Sequence, residues 1–128
     1  MNKIEIYKKL QKLNLDKNEY CIFSGAVMVI YGLRDDTPDI DLYVSEKLFK
    51  ELNKKYDLKP LENIPGYFKL DNNTDITIVN LKDYKIVDID GYPTLSLEDI
   101  LAFKKSLNRE KDQKDIELIT SYLENCKK

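Results

Sequence analysis

The sequence contains no histidine, no tryptophan and only two cysteines in 128 residues. Without histidine the chain cannot build a Ser-His-Asp or Cys-His catalytic group, cannot bind zinc or iron through imidazole, and has no side chain that ordinarily titrates near neutrality. Cys21 lies in an apolar run and Cys126 near the end of the chain, which fits two reduced thiols better than a disulfide or a zinc site. Any chemistry must therefore depend on carboxylates, hydroxyls, amines or a bound ion.

Long apolar runs are also missing. The most apolar stretch, residues 20–33, is interrupted by Ser24, Gly25 and Gly32 and is too short to cross a bilayer. The first residues contain no apolar core of a signal peptide, so we expect a cytoplasmic protein without membrane contact. The 21 basic and 23 acidic residues leave no basic excess for nonspecific nucleic-acid binding. A chain of this length suits one domain, which we expect to span residues 1–128.

Hydrophobic periodicity predicts an α+β fold in which a small antiparallel or mixed sheet is flanked by helices. The first helix should end near Asn14 and bury Ile4, Tyr7, Leu10 and Leu13. Further helices are predicted after Gly25, after Ser45, from Ser96 to about Asn108, and from about Asp112 with Ile116, Ile119 and Leu123 inward. Strands are predicted at residues 20–23, 39–44, 67–70, 75–79 and 84–89, with a turn at Gly91-Tyr92-Pro93.

Four aspartates stand between positions 35 and 41. Asp35 and Asp36 are typical of a solvated loop, whereas Asp39 and Asp41 flank Ile40 on a predicted strand and therefore point to one face, about 7 Å apart at Cα. Two such charges repel by about 3 kcal/mol at about 6 Å and an effective dielectric of 20, and a divalent cation between them would reverse that cost. The spacing alone is weak evidence, because composition predicts about four acid-x-acid pairs by chance and the sequence contains four.

Oxygen ligands without imidazole or a nearby thiolate favour Mg²⁺ or Mn²⁺ over Zn²⁺. Asp75 begins the strand-like run of residues 76–79 and could lie beside Asp39 and Asp41; Asp71 is a weaker rival. Three convergent carboxylates would suit two ions that hold the attacking and leaving oxygens of a phosphoryl displacement. The turn at Ser24-Gly25, between a strand and a helix, would offer free backbone N–H groups to a polyphosphate.

Residues 23–42, FSGAVMVIYGLRDDTPDIDL, resemble the nucleotidyltransferase superfamily that includes DNA polymerase beta, especially its small bacterial members. Those proteins have an apolar strand, Gly followed by Gly or Ser, an apolar helix, and Asp-x-Asp between apolar residues; here thirteen residues separate Gly25 from Asp39. Residues 95–105, followed by residues 109–112 and 115–116, are also similar to the small nucleotidyltransferase-like proteins of antibiotic-modifying and toxin–antitoxin groups. The resemblance implies a nucleotidyltransferase-like fold.

The resemblance also implies roles for individual residues. Asp39 and Asp41 would bind two Mg²⁺ ions, and Asp75 would complete the metal site and help to deprotonate an acceptor hydroxyl. Gly25, with Ser24, would lie against the triphosphate of a nucleoside triphosphate. The family pattern places Gly before Gly or Ser, whereas this chain has Ser24 before Gly25, so the hydroxyl is displaced by one position.

Two basic residues have both a functional and an ordinary interpretation. Lys104, on the predicted penultimate helix, would reach phosphate by the resemblance, or would be a solvated lysine. Arg34 would neutralise a phosphate, or would pair with Asp35 or Asp36.

Other polar and aromatic residues have a structural interpretation. We expect residues 109–115 to be structural, with a Glu110–Lys114 pair and Asp112 as a helix cap. Three tyrosines could stack on a base, although core or rim positions are the simpler expectation: Tyr31, Tyr43 and Tyr67.

The implied reaction transfers a nucleoside monophosphate from a nucleoside triphosphate to an acceptor and releases pyrophosphate. The acceptor stays open among an aminoglycoside or lincosamide hydroxyl, a tRNA end and a protein side chain. The alternative is a catalytically silent member that senses nucleotides, binds a partner toxin or forms a homodimer, as the displaced serine and the small size would allow.

Overall fold

The structure, a computed structural model, describes residues 1–126. Five α-helices and seven β-strands alternate irregularly along the chain. In order, they are α1 (Lys3–Leu13), β1 (Tyr20–Phe23), α2 (Gly25–Ile30), β2 (Ile40–Val44), α3 (Glu46–Lys55), β3 (Lys59–Pro60), β4 (Tyr67–Asp71), β5 (Thr74–Ile78), β6 (Ile86–Ile89), β7 (Tyr92–Leu95), α4 (Leu97–Leu107) and α5 (Gln113–Cys126). Short 3₁₀ turns cover Leu81–Asp83 and Glu110–Asp112.

The strands form one mixed sheet in the order β3-β4-β5-β2-β1-β7-β6. β2 runs parallel to β5 and β1 runs parallel to β7, while the other neighbouring strands are antiparallel. The prediction of an α+β fold with a mixed sheet is confirmed, although the sheet has more strands than the small one expected. Its centre, β5-β2-β1, is built from segments far apart in the sequence.

The helix boundaries follow capping side chains. Ser45 accepts a hydrogen bond from the Leu48 backbone N–H at 3.1 Å, and Ser96 accepts one from Asp99 at 3.2 Å, as expected of N-caps. Asn108 ends α4 in the left-handed conformation, as Asn14 ends α1.

The buried face of α1 differs from the predicted one. Ile4 is 66% exposed, whereas Ile6 is fully buried with Leu10 and Leu13. The prediction chose the wrong isoleucine because positions 4 and 6 both fit part of a helical period.

Two strands were not predicted, β3 and β7. Residues 92–95 contain Pro93 two residues after a glycine, which favours a turn. In the structure these residues nevertheless form a strand. Pro93 lies opposite Asp88 of β6, and Thr94 lies opposite Ile22 of β1. β3 has only two residues, Lys59 and Pro60, too few for a periodic pattern.

The two faces of β2 separate the core from the polar side. Ile40, Leu42 and Val44 are fully buried, as predicted from their alternation. The opposite face carries Asp41 and Tyr43, and Tyr43 stacks on Phe23 with ring centroids 3.9 Å apart. In residues 1–126 no helix combines the length and apolar character needed to cross a membrane. The thiols of Cys21 and Cys126 are free, as predicted.

Candidate functional site

Three carboxylates converge at the end of the central strands. Each of Asp39, Asp41 and Asp75 places an oxygen within 4.8 Å of the other two, and all three side chains are half-buried. Asp41 lies directly beside Asp75 because β2 and β5 pair in parallel with these residues in register. Asp39 immediately precedes β2 and faces the same way as Asp41. The sheet topology thus brings together residues that are 34 positions apart.

Asp71, the rival to Asp75, is turned to another use. Its carboxylate accepts a hydrogen bond from the Lys9 ammonium at 2.7 Å and one from the Asn73 backbone N–H at 3.1 Å. These hydrogen bonds outweigh desolvation and lower the pKa of Asp71. Asp71 therefore anchors the β4–β5 turn to α1 and lies outside the group of three.

Burial and neighbouring carboxylates raise the pKa of Asp41 and of Asp75. Burial, together with the charges of Asp39 and Asp75, raises the pKa of Asp41 to about 7, while a hydrogen bond from the Ser24 side chain opposes the shift. Burial and the charge of Asp39 also raise the pKa of Asp75, partly offset by Lys69. Part of the burial comes from the aromatic rings beside β1 and β2, with Phe23 directly opposite Asp41 in the ladder. A positive charge placed among these groups would be strongly favoured.

The donor set fits a hard divalent cation. Carboxylate oxygens are the ligands that Mg²⁺ and Mn²⁺ prefer, and the three oxygens are close enough to share an ion. No imidazole exists in the chain, and Cys21 is buried with a pKa that burial raises, so no thiolate competes for a softer metal there.

The turn between β1 and α2 brings backbone close to the carboxylates. Ser24 has φ 65° and ψ −139°, a conformation that glycine adopts easily and serine rarely does. A Cβ on Gly25 would lie 2.8 Å from Thr37 Oγ1 and 3.1 Å from Arg34 Nη1, so position 25 also requires glycine. Ser24 thus stands at the position of the first glycine in the resembled pattern, and a glycine there would adopt this backbone conformation without strain.

A cationic pocket of about 230 Å³ opens beside Asp39 and Asp41 on the side of the Ser24–Gly25 turn. Four basic side chains line it: Arg34, Lys104, Arg109 and Lys111. Its four acids, Asp39, Asp41, Asp112 and Asp115, equal the basic side chains in number, so a divalent cation held by Asp39 and Asp41 would leave the pocket with an excess of positive charge. The pocket is suited to an anion next to the carboxylate group.

Two buried aspartates hold three of these basic side chains in place. Lys104 is 6% exposed, and its ammonium lies 3.1 Å from Asp115 Oδ2 and 3.6 Å from Asp112 Oδ1. Arg34 also pairs with Asp115, and Arg109 forms two hydrogen bonds to Asp112, at 2.7 and 3.0 Å. The Arg109 hydrogen bonds and Lys104 charge lower the pKa of Asp112 despite its burial. We call these five residues the α4–α5 charge network.

This network corrects several sequence-based interpretations. Arg34 pairs with Asp115 rather than with Asp35 or Asp36, which are exposed. Lys104 is buried and ion-paired, so its interpretation as a solvated lysine is wrong.

Residues 109–115 also differ from expectation. Asp112 takes part in the network instead of capping α5, and among residues 1–126 no Glu110–Lys114 ion pair forms. The burial of Asp112 and Asp115 was missed. Their spacing from Ile119 places all three residues on one helical face, and this was the available signal.

The three candidate tyrosines occupy different places. Tyr43 is buried against Phe23 and Tyr84, and Tyr31 packs edge-on against Tyr122, as core and rim residues do. Tyr67 is half-buried and lines a second pocket, of about 400 Å³, that touches Asp41 and Asp75.

Comparison with known proteins supports the fold. The crystal structure of a "putative nucleotidyltransferase" from Thermotoga maritima matches this chain with a TM-score of 0.60 at 18% sequence identity, covering 98% of this chain and 96% of that one. No protein-family model matches the chain, and no curated protein matches it in sequence. At this identity the likeness concerns the fold alone, and the chain has the nucleotidyltransferase-like α+β fold that the sequence resemblance implied.

Proposed function

We propose that this chain, which has a nucleotidyltransferase-like fold and three convergent aspartates, transfers a nucleoside monophosphate from a nucleoside triphosphate to an acceptor hydroxyl. The observation that carries the proposal is the group formed by Asp39, Asp41 and Asp75, whose oxygens lie within 4.8 Å of one another on adjacent strands. Bound Mg²⁺ or Mn²⁺ would supply Lewis-acid stabilisation of charge on the transferred phosphoryl group. Pyrophosphate would be the second product.

Each carboxylate has a proposed task. Asp39 and Asp41 hold the divalent cations, and their mutual repulsion is relieved by doing so. Asp75 completes the ligand set and accepts the proton of the acceptor hydroxyl, a task consistent with its raised pKa. Because the three residues sit on neighbouring strands at a fixed register, the group is preorganised by the sheet.

The cationic pocket would receive the triphosphate. Ser24 and Gly25 form one wall of the pocket, where Gly25 lets the chain approach closely. Arg34 and Lys104 offer charge to the β- and γ-phosphates, which become the leaving pyrophosphate. Since α2 has only six residues, the helix dipole adds little, and the attraction would come from the basic side chains of the pocket and the bound cations.

Magnesium-dependent binding of nucleoside triphosphates tests the proposal directly. Calorimetric titration with each of the four common triphosphates and Mg²⁺ is expected to show binding by the native chain. The double variant Asp39→Asn/Asp41→Asn should bind at least tenfold more weakly, because it retains too few anionic ligands for the cation.

A matched control is available in the neighbouring loop. Asp35→Asn/Asp36→Asn changes the net charge equally but alters exposed residues outside the carboxylate group, and it should bind like the native chain. Absence of binding by the native protein, or equal loss in both double variants, would refute the proposal. Transfer of label from α-labelled triphosphate to a component of a cell extract would then identify the acceptor.

A second candidate function is nucleotide sensing or binding of a partner protein without catalysis, and the α4–α5 charge network favours it. The Lys104 ammonium already has two carboxylate partners, so it can offer an incoming phosphate only part of its charge. A silent protein would bind magnesium and triphosphate but transfer no label to any acceptor. Robust label transfer that is lost in Asp75→Asn would exclude this alternative.

A further inference from the structure

A second pocket adjoins the carboxylate group and shares Arg109 with the cationic pocket. It has a volume of about 400 Å³, within the range of about 300–1,000 Å³ that is usual for small-molecule sites. Asp41 lies in the walls of both pockets, but Asp75 lines only this one and Asp39 only the cationic one. The two pockets therefore meet at Ser24, Asp41 and Arg109, and each has one further site carboxylate of its own.

The walls of this pocket are mostly apolar. Five apolar or aromatic residues contribute: Phe23, Ile64, Tyr67, Phe103 and Leu107. Ile64 is 48% exposed and Leu107 is 41% exposed, which makes them two of the four large hydrophobic side chains with substantial exposure in residues 1–126. They come from the β3–β4 loop and the end of α4, so separate parts of the fold bring apolar surface to one opening. Such surface beside a polar centre is typical of a ligand site.

The charges in the wall restrict the occupant. Its ionisable carboxylates, Asp41 and Asp75, belong to the proposed metal site, so they offer little to a polycationic aminosugar. Its cation, Arg109, is held by two hydrogen bonds to Asp112, which leaves less of its charge for the phosphodiesters of an RNA end. The rest of the wall is apolar except for Ser24, so the pocket is an apolar enclosure whose polar end is next to the carboxylates.

We propose that this apolar pocket binds the acceptor, and that the acceptor is a small molecule whose hydroxyl is carried on an apolar ring. The inference rests on the proposed function, because it places the hydroxyl at Asp75, which accepts its proton. The acceptor oxygen forms a bond to the α-phosphorus of the triphosphate, the bond from that phosphorus to the bridging oxygen of pyrophosphate breaks, and pyrophosphate leaves towards the cationic pocket. Ring stacking on Tyr67 and Phe103 would orient the ring.

A binding experiment without nucleotide tests the pocket by itself. Amide NMR spectra of the ¹⁵N-labelled chain are recorded with 2-naphthol, an uncharged ring alcohol, and with kanamycin, a polycationic compound with many hydroxyls. We expect 2-naphthol to shift signals at residues lining the pocket and kanamycin not to do so. Preference for kanamycin, or no shift at the pocket with 2-naphthol, would overturn the proposal.

Variants with matched controls locate the binding. Ile64→Asp and Leu107→Asp alter exposed residues, so both should fold, and each should weaken 2-naphthol binding at least tenfold. Ile4→Asp and Ile78→Asp, which are 66% and 42% exposed in the native chain and lie outside the pocket, should leave it unchanged. Equal effects of all four substitutions would argue against this site.

Nucleotide binding by the same variants separates the acceptor from the nucleobase. Magnesium-dependent triphosphate affinity should change less than twofold in Ile64→Asp and Leu107→Asp. A tenfold loss would make the pocket the nucleobase site and overturn the acceptor assignment. If the native chain bound 2-naphthol here but no triphosphate, the proposed function would fail and the acceptor role with it, while the ring-binding pocket would stand.

Discussion

Asp41 stands in the least favourable environment of the three site carboxylates. It is flanked by Asp39 and Asp75 and lies beside the aromatic residues of β1 and β2. A residue chosen for stability alone would be neutral at this position, because buried like charges cost free energy that a partner must offset. The raised pKa of Asp41 is typical of a carboxylate arranged to bind a cation.

The raised pKa of Asp41 should make the free energy of unfolding depend on pH. Because the pKa of Asp41 is raised from 3.8 to about 7, the folded chain binds its proton more tightly than the unfolded chain. Stability without divalent cations should therefore fall as the pH rises from about 4 to about 7, by at most about 4 kcal/mol at about 1.4 kcal/mol per pKa unit. Urea unfolding at pH 5 and pH 8 measures it.

Asp41→Asn supplies the control for that measurement. The variant lacks the titrating group, so its advantage over the native chain should be larger at pH 8 than at pH 5. A native chain and variant that differ equally at both pH values would show that Asp41 titrates normally.

Substitutions at Ser24 and Gly25, in the β1–α2 turn, should change stability in opposite directions. Ser24→Gly should stabilise the chain by about 1 kcal/mol, because it relieves a backbone conformation that costs about 1–3 kcal/mol in a non-glycine residue. Gly25→Ala should destabilise it by about 1–3 kcal/mol, because the new Cβ would lie 2.8 Å from Thr37 Oγ1. Thermal unfolding of both variants tests this pair, and a destabilised Ser24→Gly would contradict it.

At the scale of elements, the end of α4 and the start of α5 are joined by charge as well as by apolar packing. Lys104 of α4 contacts Asp115 of α5 and Asp112 just before it, and both aspartates are at most 3% exposed. Each aspartate has two basic partners and Lys104 has two acidic ones, so removing one member weakens the pairing of a buried charge. The network thereby fixes the distance between the two helices beside the candidate site.

Asp115→Asn should destabilise the chain by about 3–5 kcal/mol, since it leaves Lys104 and Arg34 without a shared partner. Lys104→Met/Asp115→Asn should cost less than the sum of the two single substitutions. Lys50→Met breaks the exposed pair with Glu46, at 3.4 Å, and should cost under about 0.5 kcal/mol. Chemical denaturation gives all four values, and strict additivity at Lys104 and Asp115 would disprove the coupling.

The elements that sequence reasoning located are those with a strong local signal. β1, β2 and α4 have clear periodicity or a capping serine, so the core residues Ile40, Leu42 and Ile100 could be predicted. β7 could not be predicted, because Pro93 two residues after a glycine favours a turn. Its strand conformation is evident only from its pairing with β1 and β6. The choice between Ile4 and Ile6 likewise depends on what α1 packs against, which local sequence does not contain.

At the scale of the whole molecule, the candidate site also combines residues that local sequence predicts with residues that only tertiary packing brings together. The pairing of Asp39 with Asp41 follows from strand alternation, and Asp75 joins them only because β5 lies beside β2. The ion pairs of Lys104 and Arg34 could not be predicted, because Asp115 lies 81 residues after Arg34, and Lys104 meets Asp112 and Asp115 only when α5 packs against α4. The roles of all these residues stay predictions until binding is measured.

Divalent cations should stabilise the entire chain. A ligand that binds only the folded state at one hundred times its dissociation constant adds about 2.7 kcal/mol, which for a chain of this size raises the midpoint of thermal unfolding by about 10 °C. Mg²⁺ or Mn²⁺ should produce such a rise in the native chain and little in Asp39→Asn/Asp41→Asn. Differential scanning fluorimetry with Ca²⁺ and Zn²⁺ for comparison tests the preference, and identical curves for both proteins would exclude this site.

The parallel pairing of β2 with β5 also bears on how the chain folds. The 33 residues between Asp41 and Asp75 contain α3, β3 and β4, so this loop must close before the two carboxylates come together. In a transition state where this pairing is incomplete, a cation has no site to occupy. Mg²⁺ should then slow unfolding while leaving the refolding rate nearly unchanged. The ion would therefore stabilise the chain once it is folded, without speeding the folding itself.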